Sequence, residues 1–227
     1  MAKSAEELKR LTLQEFNKAA MQFDNSNPSV YNLCRKDYPD ILAELERERF
    51  MDVLDAGCGT GAVLALLSEK YPEKHYIGID LSPEMISVAS AKKLQGVRFI
   101  CGDCENLPFE TETFDVIICS MSFHHYPHPA DFFRSCEKVL RPGGRLIIRD
   151  MTVPQPLLWI VNHVEIPLAH LIGKGDVACY GRKNIEQFCA ESGLELEHFE
   201  QRKGFRLHSV IRKPDASSCQ NSPTGIR

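Results

Sequence analysis

The chain has 227 residues, a formal net charge of −4 and 43% hydrophobic residues, which is the composition of a globular protein with a packed core. It contains no dense run of lysine and arginine, which argues against a nucleic-acid substrate. The first 18 residues are charged throughout, and the apolar stretch 157–172 is short and interrupted by polar residues. We therefore expect no secretory signal and no membrane span.

The nine cysteines are odd in number and irregular in spacing, so they do not indicate a disulfide framework. We expect free, mostly buried thiols, for which a reducing cytoplasm is the natural setting. Cys101 and Cys104 have the spacing of a metal-binding pair, but the sequence offers no second pair to match them. We therefore expect no metal site there.

The segment Val53–Gly61 predicts a buried strand, a glycine-rich turn and the start of a helix. Glycines at positions 57, 59 and 61 allow a ligand to approach the backbone, and the following helix directs free N–H groups toward it. The spacing is G-x-G-x-G, whereas dinucleotide-binding loops have G-x-G-x-x-G. Asp55 precedes the first glycine and suits a ligand with a positive charge better than a pyrophosphate. The loop therefore predicts a cofactor site.

The stretch His75–Asp80 predicts a second buried strand that ends in an acid. Ser82 and Pro83 follow as the cap and first residue of a helix. Asp80 lies about 20 residues beyond the glycine loop, where doubly wound folds place the acid that binds a ribose diol. Alternatively, Asp80 is only a turn residue at the end of the strand. Its spacing from the glycine loop favours the ribose role.

The remaining elements continue this alternation of strands and helices. The sequence predicts strands at 97–101, 114–119 and 145–150, helices at 129–140 and 186–192, and a final hairpin formed by 194–200 and 205–212. Asp103 comes just after the third strand, at the sheet edge where ligands bind in open α/β folds. A helix is expected within residues 1–24, Tyr31 and Tyr38 flank a short helix, and the polar segment 213–227 is expected to be disordered.

Histidines at 124, 125 and 128 could hold a metal or supply a general base. Each of the last two is close to a proline, so we expect a bent backbone that points the rings in different directions. That interpretation favours a loop beside the pocket over a metal site. A base role for His124, His125 or His163 stays open.

The motifs Val53–Gly61, Gly78–Asp80, Gly102–Asp103, Phe114–Ile117, Phe123–His125 and Val139–Leu146 together resemble the class I S-adenosylmethionine-dependent methyltransferases. The likeness is greatest to the small-molecule branch that includes the quinone-biosynthesis enzymes, and it covers residues 40–150 best. The resemblance implies an α/β, Rossmann-like, mostly parallel sheet of seven strands in the order 3-2-1-4-5-7-6, with strand 7 antiparallel. It also implies one domain over 1–212, with a helical cap at 1–45 and a substrate-covering insertion at 151–182.

The resemblance also assigns roles around S-adenosyl-L-methionine. The loop would hold the methionine moiety, Asp80 both ribose hydroxyls and Asp103 the adenine amine, in keeping with their chemistry as acceptors. The expected cofactor-binding residues are Asp55, Gly57, Cys58, Gly59, Gly61, Asp80, Leu81, Met85, Asp103, Cys104 and Ser120; the catalytic candidates are His124 and His125; no metal is expected.

The function implied is methyl transfer to an O, N, S or C atom of a small molecule in the cytoplasm, with a homodimer among the possible assemblies. Three alternatives stay open. A nicotinamide oxidoreductase is disfavoured by the glycine spacing and by Asp103. A cofactor-binding module without turnover is compatible with the sequence. A macromolecular methyltransferase is disfavoured because the Asn/Asp-Pro-Pro-Tyr motif of amino-directed enzymes is absent.

Overall fold

A single seven-stranded sheet organises the protein in the computed structural model, which describes residues 3–24 and 34–215. Its order is β3-β2-β1-β4-β5-β7-β6, and β7 runs antiparallel to both of its neighbours. The predicted topology is therefore confirmed. The strands are β1 Asp52–Ala56, β2 His75–Asp80, β3 Val97–Cys101, β4 Phe114–Ser120, β5 Leu140–Met151, β6 Glu195–Arg202 and β7 Arg206–Arg212.

Helices connect the parallel strands and cover both faces of the sheet. The longer ones are α1 Ala5–Ala19, α2 Tyr38–Leu45, α3 Ala62–Lys70, α4 Pro83–Ala91, α5 Pro129–Val139 and α6 Arg182–Ser192. Their starts follow the expected capping chemistry, since Ser4 forms a capping box with Glu7 and the Ser82 hydroxyl accepts from the Met85 N–H. Tyr38 begins α2, whereas Tyr31 lies outside the described residues.

The core has one cluster of buried apolar side chains on each face of the sheet. On one face, Phe123, Phe132 and Phe133 pack between the sheet and α6 and are fully buried. On the other, Ile41 and Leu45 of α2 pack with α3 against the sheet. Strands β1, β4 and β5 lie between the two clusters, so the apolar runs 116–119 and 146–148 follow from burial on both sides.

A buried ionic cluster connects α2 and the residue before it to strands β5 and β7 of the sheet. The Asp37 carboxylate accepts from Arg149 at 2.9 Å and also from Arg206, and both arginines come from the strands β5 and β7. Arg145 of β5 donates to the Glu44 backbone carbonyl at 2.9 Å and lies 3.3 Å from its carboxylate. Removing one member would leave its partners charged and buried, which is strongly destabilising.

Helix α1 and the insertion after β5 lie over the carboxyl ends of the strands. The insertion contains consecutive short helical segments from Leu157 to Ile172. Glu15 of α1 binds Lys174 at 2.5 Å, so the two covering elements contact each other. No helix among the described residues is long and apolar enough to cross a membrane.

Strand β5 differs from the prediction at its start. The sequence predicted a helix up to residue 140 and a strand only from residue 145, which left a break at 141–144, but the strand begins at Leu140 and includes these residues. Leu140 pairs with Phe114, and regular pairing with β4 resumes only where Arg145 meets Val116. The expected break is thus an irregularity within a strand, at which Gly143 adopts a φ of 74°. The expectation for the tail falls largely on residues 216–227, which lie outside the described part of the chain.

Candidate active site

The glycine loop connects β1 to α3 and requires its small residues. The N–H groups of Gly57 and Cys58 both donate to the Ile79 carbonyl, at 2.8 and 3.0 Å, which fixes the loop against β2. Gly57 has a φ of 78°, and a Cβ there would overlap the Ser122 side chain. Gly61 has a φ of 76°, and its Cβ would lie 2.6 Å from the Phe99 ring. Larger residues at either position would therefore strain the loop.

Asp80 lies at the carboxyl end of β2 and faces the glycine loop. One carboxylate oxygen accepts from the Gly59 N–H at 2.8 Å, and the other accepts from the Ser82 N–H at 2.9 Å. Burial raises the pKa of Asp80, and these two hydrogen bonds partly offset that effect. Each oxygen can accept a second hydrogen bond, so the carboxylate offers two neighbouring acceptors to a diol.

Asp55 is buried at the end of β1 and carries an unpaired acceptor. No hydrogen-bond partner for its Oδ2 lies among the residues that the structure describes. Burial, together with the nearby Asp80 charge, raises the pKa of Asp55 to about 7. A cationic group on a ligand would satisfy this oxygen and restore the ionised form. The ammonium of S-adenosylmethionine is such a group, so this observation fits the cofactor that the sequence predicts.

Asp103 is engaged by a residue that the sequence did not predict. One of its oxygens accepts from the Glu105 N–H at 3.0 Å, and the other accepts from the Lys9 ammonium of α1 at 2.5 Å. Lys9 also forms an ion pair with Glu105. The amino-terminal helix is therefore anchored at the expected adenine end of the site. Lys9 gave no local signal, because it is one of several charges on an amphipathic helix.

One cavity, partly open to solvent, joins these residues. Helix α1 contributes Thr12 and Phe16 to its wall, and Tyr126 contributes from the segment after β4. Gly61 and His124 do not line the cavity, since Gly61 caps α3 and His124 lies behind His125. The predicted site residues that do line it are Asp55, Gly57, Cys58, Gly59, Asp80, Leu81, Met85, Asp103, Cys104, Ser120 and His125.

His124 and His125 occupy a short helical turn after β4 and are both buried. Their rings lie side by side with centroids 4.1 Å apart, while His128 is exposed. The proline-rich bend therefore separates only His128 and does not direct the two buried rings apart as expected. The third candidate base, His163, is exposed, and its Nδ1 lies 2.9 Å from the Trp159 carbonyl.

The two buried histidines differ in their pKa, and carboxylates from distant segments contribute to this difference. His124 Nδ1 lies 2.5 Å from Asp150 Oδ1. Burial lowers the pKa of His124, but Asp150, together with Asp176 and Glu15, outweighs burial and raises it. Burial, followed by repulsion from His124, lowers the pKa of His125 to about 4. Asp176 Oδ1 lies 3.5 Å from His124 Nε2 and 3.8 Å from His125 Nδ1. Sequence reasoning missed both carboxylates, because they are 26 and 52 residues away from His124.

The eight described cysteines are all free. Cys104 is buried beside the cavity, whereas Cys101 is exposed at the end of β3. The two thiols therefore have different environments. Burial raises the pKa of the Cys104 thiol, and partial desolvation raises that of Cys101. Both shifts disfavour the thiolate that a metal site would need.

Comparison with known proteins shows that the chain is similar in sequence to methyltransferases. The sequence profile of the family described as "Methyltransferase domain" matches residues 54–148, from β1 to the middle of β5. The chain is 32% identical over 150 residues to the demethylmenaquinone methyltransferase of Thermotoga maritima, covering 64% of each protein. It is 39% identical over 100 residues to the phthiotriol/phenolphthiotriol dimycocerosates methyltransferase of Mycobacterium leprae, covering 44% of this chain and 37% of that protein. The chain thus spans between about a third and two thirds of the length of these curated relatives.

Among solved structures, the S-adenosylmethionine-dependent methyltransferase of Aquifex aeolicus superposes with a TM-score of 0.66 at 20% identity. The alignment covers 87% of this chain and 98% of that one, which establishes a shared fold. The sheet order, the glycine loop and the family match agree with one another. Residues 54–148 therefore match the methyltransferase-domain family, and the sheet that carries them has the strand order that the resemblance to class I S-adenosylmethionine-dependent methyltransferases implies.

Proposed function

We propose that the protein transfers the methyl group of S-adenosylmethionine to a small molecule bound in this cavity. The observation that carries this proposal is the convergence of the glycine loop, Asp80 and the unpaired buried oxygen of Asp55 on one cavity wall. Together they offer two acceptors to a diol and one to a cation. A nicotinamide dinucleotide would bring its pyrophosphate toward Asp55 instead, which is electrostatically unfavourable.

Each part of the cofactor has a matching group on this chain. Asp80 would bind the ribose hydroxyls, and Asp103 would accept from the adenine amine while Lys9 shifts to Glu105. The Cys104 N–H would donate to the adenine ring. Leu81 and Met85 would form apolar walls near the adenine, and the carbonyls at Gly57 and near Ser120 would accept from the ammonium.

The bound cofactor would supply an electrophilic methyl group on its sulfonium. The protein's contribution is then alignment of the acceptor and exclusion of water, which can lower a barrier by about 7–11 kcal/mol in favourable systems. Helix α1 supports this role because it covers the cavity and places Phe16 against His125, with ring centroids 4.9 Å apart. An acceptor that is already ionised near neutral pH needs no protein base.

An unactivated hydroxyl needs a base, and His125 is placed to face it. His125 lines the cavity, and burial keeps its ring neutral at physiological pH. His124 lies behind it and is oriented by Asp150, so we assign it a positioning role. The exposed His163 is less suited to the task.

We propose an acceptor with an apolar body. The cavity wall on the side of α1 contains Phe16 and Phe23, and Tyr38 of α2 joins them. The insertion adds exposed apolar side chains, among them Trp159 and Leu168. The two curated relatives above are named for demethylmenaquinone and for phthiotriol and phenolphthiotriol dimycocerosates. These names support testing quinols and phenols first.

The test is a binding comparison followed by turnover. Thermal unfolding should show stabilisation by S-adenosylmethionine and S-adenosylhomocysteine and none by NADH. Incubation with labelled cofactor and a panel of quinols, phenols and thiols should then transfer label to at least one acceptor. Stabilisation by NADH alone would contradict the proposal, and binding of S-adenosylmethionine without transfer to any acceptor would favour a cofactor-binding module.

A further inference from the structure

Three side chains near the acceptor end of the cavity direct ligand atoms at a common point. His124, His125 and Asp176 each offer one donor atom, and these atoms all lie within 4.8 Å of one another. The Asp176 oxygen is 3.5 Å from His124 Nε2 and 3.8 Å from His125 Nδ1. Two imidazoles and one carboxylate form the donor set of many catalytic zinc and iron sites.

His125 supplies an independent indication of a ligand site. Its side chain is 92% buried, with 8% exposed, and its Nδ1 has no hydrogen-bond partner in the part of the chain that the structure describes. An unpaired ring nitrogen in a buried position carries a desolvation penalty unless something binds it. A metal ion between this nitrogen and Asp176 would remove that penalty.

His124 is held in the orientation that metal ligation requires. Its Nδ1 lies 2.5 Å from Asp150 Oδ1, and its backbone N–H donates to the other Asp150 oxygen at 3.1 Å. This contact leaves Nε2 free to face Asp176. A carboxylate on the second ring nitrogen is the usual support of a metal-binding histidine, since it fixes the tautomer and raises the basicity of the ligand.

Asp176 is held in place from both sides along the chain. On one side, the Gly175 carbonyl accepts from the Thr12 hydroxyl of α1 at 2.9 Å. On the other, the Val177 N–H donates to the His124 carbonyl at 2.8 Å. The segment that carries Asp176 is therefore hydrogen-bonded to His124 itself. This contact preorganises the cluster, although Asp176 is 52 residues away from His124 in sequence.

We propose that His124, His125 and Asp176 bind one divalent transition-metal ion of the zinc type, with a coordination position open toward the cavity. Ligands of tetrahedral zinc lie about 3.3 Å apart, given metal–ligand distances of about 2.0–2.1 Å. The two carboxylate–imidazole separations of 3.5 and 3.8 Å are close to this value, whereas the two imidazole nitrogens, within 4.8 Å of each other, would move together when the ion binds. Of the three ligands, His125 lines the cavity, and an open position on that side would bind an acceptor oxygen and favour its ionised form. With the ion bound, His125 would serve as a ligand, and the ion would replace it as the group that activates a hydroxyl. That role rests on the proposed methyl transfer, whereas the binding of the ion does not.

The test is metal binding by the full chain after treatment with a chelator. Zn²⁺ is titrated by calorimetry, and Co²⁺ is titrated by absorption spectroscopy. We expect one ion per chain and a cobalt spectrum of a nitrogen- and oxygen-ligated site without an intense sulfur-to-metal band. Asp176→Asn should weaken Zn²⁺ binding at least tenfold, and Asp150→Asn about 10- to 100-fold.

His128→Ala is the matched control, because this exposed histidine lies three residues beyond the cluster and its loss should leave the affinity unchanged. The proposal is overturned by the absence of stoichiometric binding, by a thiolate spectrum, or by an Asp176→Asn variant that binds Zn²⁺ as the original chain does. Thermal unfolding and S-adenosylhomocysteine affinity are measured on every variant. If the original chain binds S-adenosylhomocysteine but not Zn²⁺, the metal site alone is rejected. If it binds Zn²⁺ but not S-adenosylhomocysteine, the proposed function alone is rejected.

Discussion

The Asp80 carboxylate provides the most quantitative test of the proposed cofactor site. Its two oxygens each hold one backbone N–H, from Gly59 and Ser82, and each retains capacity for one ribose hydroxyl. Hydrogen bonds to charged groups contribute about 1.5–3 kcal/mol each. Asp80→Ala removes both ribose contacts, so the cost is about 3–6 kcal/mol, or roughly a 10²- to 10⁴-fold loss of affinity. Asp80→Asn keeps one acceptor and should lose roughly 10- to 150-fold.

Calorimetry with S-adenosylhomocysteine measures these losses directly. Glu84→Gln is the matched control, because Glu84 is an exposed acid in the first turn of the helix that follows Asp80. Its affinity should equal that of the original chain, and thermal unfolding should show that both Asp80 variants remain folded. An Asp80→Ala variant that binds the ligand with unchanged affinity would refute the assignment of the ribose to this carboxylate.

Three further predictions concern the pH dependence and stability of the fold. The folded state holds a proton on Asp55 up to about pH 7, whereas an unfolded aspartate loses its proton near pH 4. The free energy of unfolding should therefore fall as the pH rises from 4 to 7, and Asp55 accounts for up to about 4 kcal/mol of this loss. Urea unfolding across this range should show a smaller decline for Asp55→Asn, and parallel curves would contradict the raised pKa. Asp37→Asn should cost about 3–5 kcal/mol in urea unfolding, because Arg149 loses a buried partner; a loss below 1 kcal/mol would show that the cluster is hydrated. Gly175→Ala should cost about 1–3 kcal/mol and weaken cofactor binding, because its Cβ would lie 2.5 Å from Thr12 and displace α1; unchanged affinity by calorimetry would show that α1 does not close the site.

The strands and the glycine loop could be predicted because their signals are local. Buried strands such as His75–Asp80 appear as short apolar runs, and the acids that end them fall at the same edge of a parallel sheet. The loop needs a left-handed backbone at Gly57, which restricts the residue type strongly. Spacing alone therefore placed Asp55, Asp80 and Asp103 around one cavity.

The covering elements could not be predicted in the same way. Lys9 meets Asp103 across 94 residues, and Lys9 does not differ from an ordinary surface charge in the sequence. The neighbours of His124 pose the same problem, since Asp150 ends a strand and Asp176 lies in a loop of the insertion. Their convergence depends on how α1 and the insertion pack, which no local pattern specifies. The prolines after His125 correctly indicated a bend but gave no information on ring orientation.

The most direct test of the account is the structure of the full chain crystallised with S-adenosylhomocysteine. We predict the ribose hydroxyls on Asp80, the adenine amine on Asp103 with Lys9 displaced, and the ammonium beside Asp55. A ligand bound away from the glycine loop, or no bound ligand at the highest concentration that the crystals tolerate, would contradict the central claim.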